Sequence, residues 1–368
     1  MIHALLPVYL VTALGASAAT VGFIEGFAVA TTMVTRLFSG VLSDWFGNRK
    51  LLAGIGYGLA ALSKPIFPIA GSVSWIIGAR FLDRVGKGIR SAPRDALIAD
   101  ITPPALRGAS FGLRKSLDTV GGFVGPLAAI GLMLLTGDHF TTVFWIAVVP
   151  SLLAIGLLVV GLEEPEHAVA DKANAGVRWK EAARLNGAAW SVIIVSVILT
   201  VARFSEAFLI LRSQRAGLSV AWIPLIMVVM HIVYGLAAYP VGALSDRLGR
   251  IGMLIAGLVF LVGAYGVLAS ADAIMPLMIG VALWGLHMGF TQGILATLIA
   301  DTAPANLRGT AFGIFNLITG GVVLLGNVFA GVLWDAYGPA TTFLTGAGLS
   351  IIAILGLGVL RARPLEDR

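Results

Sequence analysis

The chain has 368 residues, of which 58% are hydrophobic and only 12% are charged, and it contains no cysteine. Soluble domains carry roughly 25% charged residues, so this composition excludes a soluble globular protein and indicates one that lies in a lipid bilayer. The absence of cysteine excludes disulfides and thiol chemistry. The net charge of +6 does not indicate nucleic-acid binding, because the basic residues are distributed as membrane topology would distribute them.

Twelve apolar segments are predicted to span the bilayer, since a spanning helix needs about 20 mostly apolar residues. In chain order they cover residues 2–16, 19–42, 51–71, 75–98, 108–135, 140–161, 187–211, 219–243, 252–271, 274–299, 308–334 and 340–360. We therefore predict an all-α membrane protein with twelve transmembrane helices. A polar stretch at 163–185 divides it into an N-terminal six-helix half (1–162), a cytoplasmic linker and a C-terminal six-helix half (186–368).

The first segment is unusually short. Only about 15 residues precede the turn at Ala18–Thr20, and a span of this length does not cross a bilayer comfortably. No cationic region comes before it, so it is not a signal peptide. We expect that Met1 is not the native start or that the chain is truncated inside the first helix.

Lysine and arginine are distributed unequally between the two ends of the predicted spans. If the 42–50 loop is cytoplasmic, the loops and the tail on that side hold thirteen basic residues, whereas the other side holds Arg212 and Arg215. Basic residues collect on the cytoplasmic side of membrane proteins. We expect both termini to be cytoplasmic and the protein to lie in a bacterial inner membrane.

Two segments of the first half recur in the second half. ALIADITPPALRGASFG (96–112) matches TLIADTAPANLRGTAFG (297–313) at an offset of 201, so that Arg107 corresponds to Arg308. GVLSDWFGNRKLL (40–52) matches GALSDRLGRIGML (242–254) at an offset of 202. Two motifs at nearly one offset indicate a duplicated six-helix unit. Two such halves are a transporter arrangement, with a substrate site between them near the middle of the membrane.

These motifs resemble those of a known family. The Gly-x-Leu-Ser-Asp-x-x-Gly loop between spans 2 and 3, repeated between spans 8 and 9, resembles the signature loop of the major facilitator superfamily. RFLDRVGKG (80–88) resembles that superfamily's fourth-span pattern, and GGFVGPLA (121–128) resembles the fifth-span motif of its antiporters. The resemblance, to bacterial drug- and sugar-efflux-type proton antiporters in particular, implies a monomeric secondary transporter without a cofactor.

The resemblance also implies a role for the repeated loops as a cytoplasmic gate. Glycines permit tight turns, the aspartates can accept hydrogen bonds from a facing helix N-terminus or an arginine, and the arginines can clamp the loops. The predicted gating residues are Gly40, Asp44, Gly47, Arg49, Arg107, Gly242, Asp246, Gly249, Arg250 and Arg308. The alternative is a plain turn with solvated charges.

In the fifth span, Gly121, Gly125 and Pro126 are expected to allow close helix approach and a bend. This feature belongs to the antiporter pattern. The alternative is a structural kink with no role in the direction of transport.

The fourth span carries a charged face. At 100° per residue, Arg80, Asp83, Arg84, Lys87, Arg90 and Arg94 fall within one arc of about 120°. Intramembrane charges are costly and face a cavity or a partner rather than lipid. Two interpretations remain open. The face lines the path of an anionic solute, or its members form buried ion pairs, such as Asp83 with Arg84 or Arg80, while Arg36, Arg90 and Arg94 extend to the headgroups.

Other charged or titratable groups lie within the predicted spans. Asp118 is expected to pair with Arg114 or Lys87, and Arg203 with Glu206 at the helical spacing i, i+3. Candidates for a proton-coupling acid are Glu25, Asp83, Asp118 and Glu206. His231 and His287 are interpreted mainly as packing residues, although His287 and Gln292 could line a cavity.

No enzyme signature is present, since GYGLAA (56–61) only mimics a dinucleotide fingerprint within an apolar span. We predict a non-enzymatic secondary transporter of a small organic solute, working by alternating access as a proton-coupled exporter, with no metal and no cofactor. One alternative is a carrier of an organic or phosphorylated anion that uses the basic face of span 4. Another is a non-transporting membrane sensor. The substrate and its direction stay open.

Overall fold

The computed structural model describes residues 1–46, 48–103, 106–161, 185, 187–302 and 308–362. In this part of the chain all regular secondary structure is helical, with a short 3-10 turn at Val220–Trp222. The α-helices are α1 Ile2–Thr12, α2 Ala18–Phe46, α3 Arg49–Ser63, α4 Ile66–Ile69, α5 Val73–Ile101, α6 Arg107–Thr136, α7 Phe140–Ile146, α8 Val148–Gly161, α9 Gly187–Ala202, α10 Ala207–Arg215, α11 Leu225–Leu248, α12 Arg250–Ala269, α13 Ile274–Thr302, α14 Arg308–Tyr337 and α15 Pro339–Ala362.

Within the described residues, ten segments are long and apolar enough to cross a membrane. The two remaining predicted spans are α1, which has 11 residues, and α5, which has 29 residues but carries the charged face. The predicted all-α architecture of twelve spans is therefore confirmed. Large side chains such as Leu135, Val160 and Leu236 point outward, as expected for helices in contact with lipid.

Three predicted spans are interrupted rather than continuous. The third is divided into α3 and α4 at Lys64–Pro65, where proline lacks the N–H that a helix interior requires. The sixth is divided into α7 and α8 at Ala147. The seventh, predicted over 187–211, breaks between α9 and α10 at residues 203–206.

Side chains from other helices compensate the break between α9 and α10. The Tyr265 hydroxyl donates to the Ala202 carbonyl at 2.8 Å and accepts from the Phe204 N–H at 3.1 Å. The Asn327 side-chain oxygen accepts from the Ser205 N–H at 2.7 Å. A backbone group without a partner is costly inside a membrane, so these contacts make the break tolerable.

Helices α2 and α14 pack backbone against backbone along the half of α2 that begins at Ala18. A Cβ on Gly26 would lie 2.7 Å from the Leu324 Cα, and one on Gly331 would lie 2.5 Å from the Ala18 carbonyl oxygen. Small residues permit such close approach. Glycine also allows α3 and α5 to pack closely, since a Cβ on Gly86 would lie 2.5 Å from the Gly56 carbonyl oxygen.

The N-terminus of α2 is capped by a side chain of α14. The Asp335 carboxylate accepts hydrogen bonds from the Ala18 N–H at 2.9 Å and from the Ala19 N–H at 2.8 Å. A carboxylate at a helix N-terminus satisfies free N–H donors and interacts favourably with the helix dipole. This end of the bundle, which we call the capped end, is therefore held together by a contact between α2 and α14.

Candidate functional site

A cavity of about 590 Å³ lies in the middle of the bundle. Residues of α2 and α5 line one side, and residues of α9, α13, α14 and the α9–α10 break line the other. Its charged lining residues are Glu25, Lys64, Asp83, Arg84, Lys87, Arg90, Arg203 and Glu206. Six predicted coupling residues therefore meet in one place, and Arg80 lies directly behind them.

Arg80 and Glu25 form a buried ion pair between α5 and α2. The Arg80 guanidinium donates to the Glu25 carboxylate, and the two residues are only 3% and 4% exposed. Of the two partners predicted for Asp83, Arg80 is therefore excluded, because it pairs with Glu25 instead. Since each charge would be costly without the other, the pair fixes α2 against α5 beside the cavity.

Asp83 lies between two cations. The Lys64 ammonium donates to its Oδ1 atom at 2.6 Å, and the Arg84 Nε atom lies 3.5 Å from its Oδ2 atom. The predicted pair with Arg84 is thus confirmed, and Lys64 is an additional partner. Lys64 stands at the break between α3 and α4, where its side chain can reach across to α5.

Lys87 and Arg90 follow Arg84 on the same face of α5, about one and two turns further along the helix. Among the described residues, no carboxylate lies within 4.0 Å of the Lys87 ammonium or the Arg90 guanidinium. Arg90 instead lies over the ring of Tyr57, 4.3 Å from its centroid. Of the two interpretations left open above, ion pairing explains Arg80, Asp83 and Arg84, but it does not explain Lys87.

The opposite wall is polar and nearly neutral in charge. Arg203 and Glu206 lie at the α9–α10 break, so the helical i, i+3 spacing does not apply, and no ion pair joins them in the described chain. The predicted Arg203–Glu206 pair is therefore wrong. His287 lines this wall, which fits the alternative interpretation of that residue rather than the packing one, whereas Gln292 is not among the lining residues.

His287 is held in one orientation by α12. Its Nδ1 atom donates to the Gly257 carbonyl at 2.9 Å, while its Nε2 atom is buried without a hydrogen-bond partner among the described residues. The other predicted histidine, His231, bonds to the Met227 carbonyl through Nδ1 at 2.7 Å and packs on Gly122. The packing interpretation fits His231 better than His287.

Asp118 lies apart from the cavity. Its carboxylate is 3.6 Å from Arg114, which confirms that predicted pair, and its side chain is 51% exposed. Arg114 also approaches Asp95 at 3.4 Å, and Asp95 is 3.3 Å from Arg94. Asp118 thus belongs to a second, more exposed charge network between α5 and α6.

The fifth-span motif lies in α6, which runs through Pro126 as a helix. A Cβ on Gly121 would meet no atom within 4 Å. The close approach to α11 is made by its neighbour Gly122, against the ring of His231, and Gly125 approaches only the Met1 nitrogen. Pro126 itself is buried.

The described gating residues lie at the end of the bundle opposite the capped end. Arg49 and Arg250 are the first residues of α3 and α12, although the repeat offset of 202 aligns Arg250 with Asn48 rather than with Arg49. Gly249 has a φ angle of +82°, which favours glycine, and Gly242 is exposed near the end of α11. Gly47 lies outside the described residues, and the surroundings of Gly40, Asp44, Arg107, Asp246 and Arg308 lie outside the described part of the structure.

Sequence reasoning missed several cavity residues. The sequence did not indicate Lys64 as a cavity residue, nor His3, whose Nδ1 atom is 4.0 Å from Glu25. Asn327, Thr291 and Thr319 also line the cavity. The only sequence signal for Lys64 is the proline that follows it, while a single uncharged polar residue in an apolar span gives no signal at all.

Comparisons with known proteins agree on one family. The family model described as Major Facilitator Superfamily matches residues 1–326. An uncharacterized MFS-type transporter of Methanocaldococcus jannaschii is 30% identical over 367 residues, which cover 96% of this chain and 88% of the relative. The quinolone resistance protein NorA of Staphylococcus aureus is 28% identical over 195 residues, which cover 53% of this chain and 48% of NorA.

Solved structures share the fold at low sequence identity. The nucleoside transporter NupG superposes with a TM-score of 0.79 at 14% identity, covering 98% of this chain and 95% of NupG. The human organic anion transporter TETRAN superposes with a TM-score of 0.65 at 19% identity, covering 91% of this chain and 83% of TETRAN. These likenesses concern the fold alone. Taken with the family match, they mean that the chain belongs to the Major Facilitator Superfamily, a family of non-enzymatic membrane transporters.

Proposed function

We propose that this chain is a secondary transporter of a small organic anion, which it carries across the membrane by alternating access to the central cavity. The observation that carries the proposal is the excess of bases over acids among the lining residues. The bases are Lys64, Arg84, Lys87, Arg90 and Arg203, and the acids are Glu25, Asp83 and Glu206. Glu25 is moreover matched by Arg80 behind the wall.

The electrostatic argument is direct. Intramembrane charges are costly without counter-charge, and they mark solute pathways. An anion that enters the cavity supplies the missing charge, and the field of the cavity raises its local concentration. A lipophilic cation would meet repulsion from Lys87 and Arg90 instead.

Alternating access requires two parts of the protein that move relative to each other. We propose that residues 1–162 and 186–368 act as two six-helix halves joined by a cytoplasmic linker at 163–185, in a monomer with both termini in the cytoplasm of a bacterial cell. Under this orientation the capped end faces the outside. The contact of Asp335 with the N-terminus of α2 then belongs to a conformation closed toward the outside.

The gate at the other end is proposed for the repeated loops. In this proposal Asp44 and its second-half counterpart Asp246, together with the loop arginines Arg49 and Arg250, hold the halves together when the transporter opens outward. Arg107 and Arg308 support the loops from the next connections. Arg49 and Arg250 each begin the helix that follows a repeated loop, which supports a role shared by the two halves.

Proton-coupled export of a drug-like solute is the second candidate, and the similarity to NorA favours it. In this case Glu25, Asp83 or Glu206 would carry the coupling proton, since all three line the cavity. Asp118, which lies in the more exposed network, would be a weaker candidate. Gly121, Gly125 and Pro126 would then belong to the mechanism as the antiporter motif.

A thermal-shift screen of detergent-purified protein separates the two candidates. Matched panels of organic anions and lipophilic cations are compared, since a ligand at 100 times its Kd stabilises a protein by about 2.7 kcal/mol. We expect anions to stabilise and Lys87→Ala to abolish the shift. The control is Arg36→Ala, which removes the same charge from an exposed position on α2 outside the cavity. Stabilisation by cations or neutral drugs alone would refute the anion proposal.

A further inference from the structure

The positive charge of the cavity is concentrated on one wall. On the side of α3 and α5, the Lys64, Arg84, Lys87 and Arg90 side chains line the cavity, and Asp83 is the acid among them. Four cations against one carboxylate leave this wall with a surplus of three formal positive charges. We call these five residues the basic wall.

The rest of the cavity contributes almost no net charge. Glu25 is matched by the buried Arg80 guanidinium. Across the cavity, the formal charges of Arg203 and Glu206 cancel, and the other polar lining groups there include Asn327. The cavity is therefore polarised, with a cationic side and a neutral hydrogen-bonding side.

The donors of the basic wall are only partly used. Lys64 and Arg84 share the single carboxylate of Asp83, and the buried Arg84 Nε atom has no hydrogen-bond partner in the described part of the chain. Lys87 has no carboxylate within 4.0 Å among the described residues. A singly charged anion would neutralise only one of the three surplus charges, whereas a doubly charged anion would neutralise two.

We propose that the basic wall is built for a doubly charged head group, such as that of a phosphomonoester, whose uncharged body lies against the neutral wall. This inference rests on the proposed anion transport and names the class of anion. A phosphate monoester carries a charge of about −1.5 to −2 at pH 7 and three strong acceptor oxygens. Such a group suits a set of ammonium and guanidinium donors arranged around one point.

Isosteric esters test the inference, because a sulfate ester has nearly the shape of a phosphate ester but one charge fewer at pH 7.5. Phenyl phosphate is compared with phenyl sulfate, and glucose 6-phosphate with glucose 6-sulfate, by thermal-shift titration of the detergent-purified full chain. In at least one pair the phosphate ester should bind at least tenfold more tightly, which corresponds to about 1.4 kcal/mol.

Variants assign that preference to the basic wall. Lys87→Ala should lower the ratio of phosphate-ester affinity to sulfate-ester affinity at least threefold. Lys87→Gln is a second variant, which keeps the approximate size of the side chain. Arg36→Ala, outside the cavity, should leave the ratio unchanged. Lowering the pH to 5.5, below the second phosphate pKa of about 6, should protonate the phosphate ester and reduce the ratio of the two affinities about fourfold. The sulfate ester does not titrate in this range, so any change in its affinity reports titration of the protein itself.

The outcomes distinguish the two levels of the proposal. If both esters of each pair bind equally well, the anion site stands and the doubly charged head group is refuted. If Lys87→Ala and Lys87→Gln leave a phosphate preference unchanged, the assignment to the basic wall is refuted. If no ester of either pair binds at millimolar concentration, the anion site itself is refuted and this inference falls with it.

Discussion

The cap at the N-terminus of α2 offers a sharp test of the proposed conformational cycle. Asp335 of α14 accepts from the Ala18 and Ala19 N–H groups at 2.9 and 2.8 Å, and α2 and α14 belong to different proposed halves. Any movement that separates the halves at the capped end must break both hydrogen bonds. Asp335→Ala should therefore destabilise the closed conformation relative to one that is open at this end.

The magnitude follows from two contributions. Loss of an N-terminal cap costs about 0.5–2 kcal/mol, and loss of a negative charge at a helix N-terminus costs about 0.3–1 kcal/mol. Their sum, roughly 1–3 kcal/mol, changes a two-state equilibrium about 5-fold to about 150-fold. Asp335→Asn, which keeps one acceptor oxygen but loses the charge, should give an intermediate shift.

Spin labels can measure this shift because the chain has no native cysteine. His139 and Ser270 are exposed at the capped end, just after α6 and α12. Spin labels attached at His139→Cys and Ser270→Cys report the distance between the two halves by double electron–electron resonance. Asp335→Ala should enlarge the population with a long distance.

Asp272→Ala is the matched control, since it removes an exposed carboxylate that contacts Arg212 within the second half at 2.9 Å. It should leave the distance distribution as in the parent protein. An unchanged distribution in Asp335→Ala would contradict the idea that the α2–α14 contact holds this end closed.

Two further predictions concern packing and charge beside the cavity. Gly86→Ala should lower the thermal midpoint of the purified protein, at a cost of about 1–3 kcal/mol for overpacking, because the new Cβ would lie 2.5 Å from the Gly56 carbonyl oxygen. The control is Gly58→Ala, whose Cβ meets open space and which should be neutral or slightly stabilising. Equal effects of the two substitutions would contradict the close packing of α3 against α5. Glu25→Gln should cost about 3–5 kcal/mol by leaving the Arg80 charge buried and unpaired. Adding Arg80→Gln should recover most of that loss, and an additive double variant would argue against the ion pair.

The sequence allowed the architecture to be predicted because the membrane imposes simple constraints. The length of apolar segments gives the spans, and the arc of charges on α5 correctly indicated an inward face. The two spans that fall short of an apolar spanning helix, α1 and α5, are also the two that the sequence marks as short or charged.

The partners of the charges could not be predicted in the same way. Glu25 and Arg80 are 55 residues apart, and their pairing depends on the relative height of α2 and α5, which no local pattern reveals. Lys64 reaches Asp83 because α3 ends at Pro65. In the sequence, this lysine is equally compatible with a side chain that extends to the headgroups.

The break between α9 and α10 is a second example. The stretch TVARFSEAFL contains neither glycine nor proline, so it reads as a continuous helix and suggested an Arg203–Glu206 pair. The groups that stabilise the break, Tyr265 and Asn327, are 63 and 122 residues away from their partners in the chain. A helix end that depends on such distant side chains has no local sequence signal.

Flux through proteoliposomes tests the central claim most directly. The anion that gives the largest thermal shift would be placed on one side of vesicles containing the purified protein, and its gradient-driven movement followed with time. Anion transport through the central cavity predicts saturable flux that is lost in Lys87→Ala and retained in Arg36→Ala. Flux of that anion that is absent, or equal in Lys87→Ala and the parent protein, would contradict it.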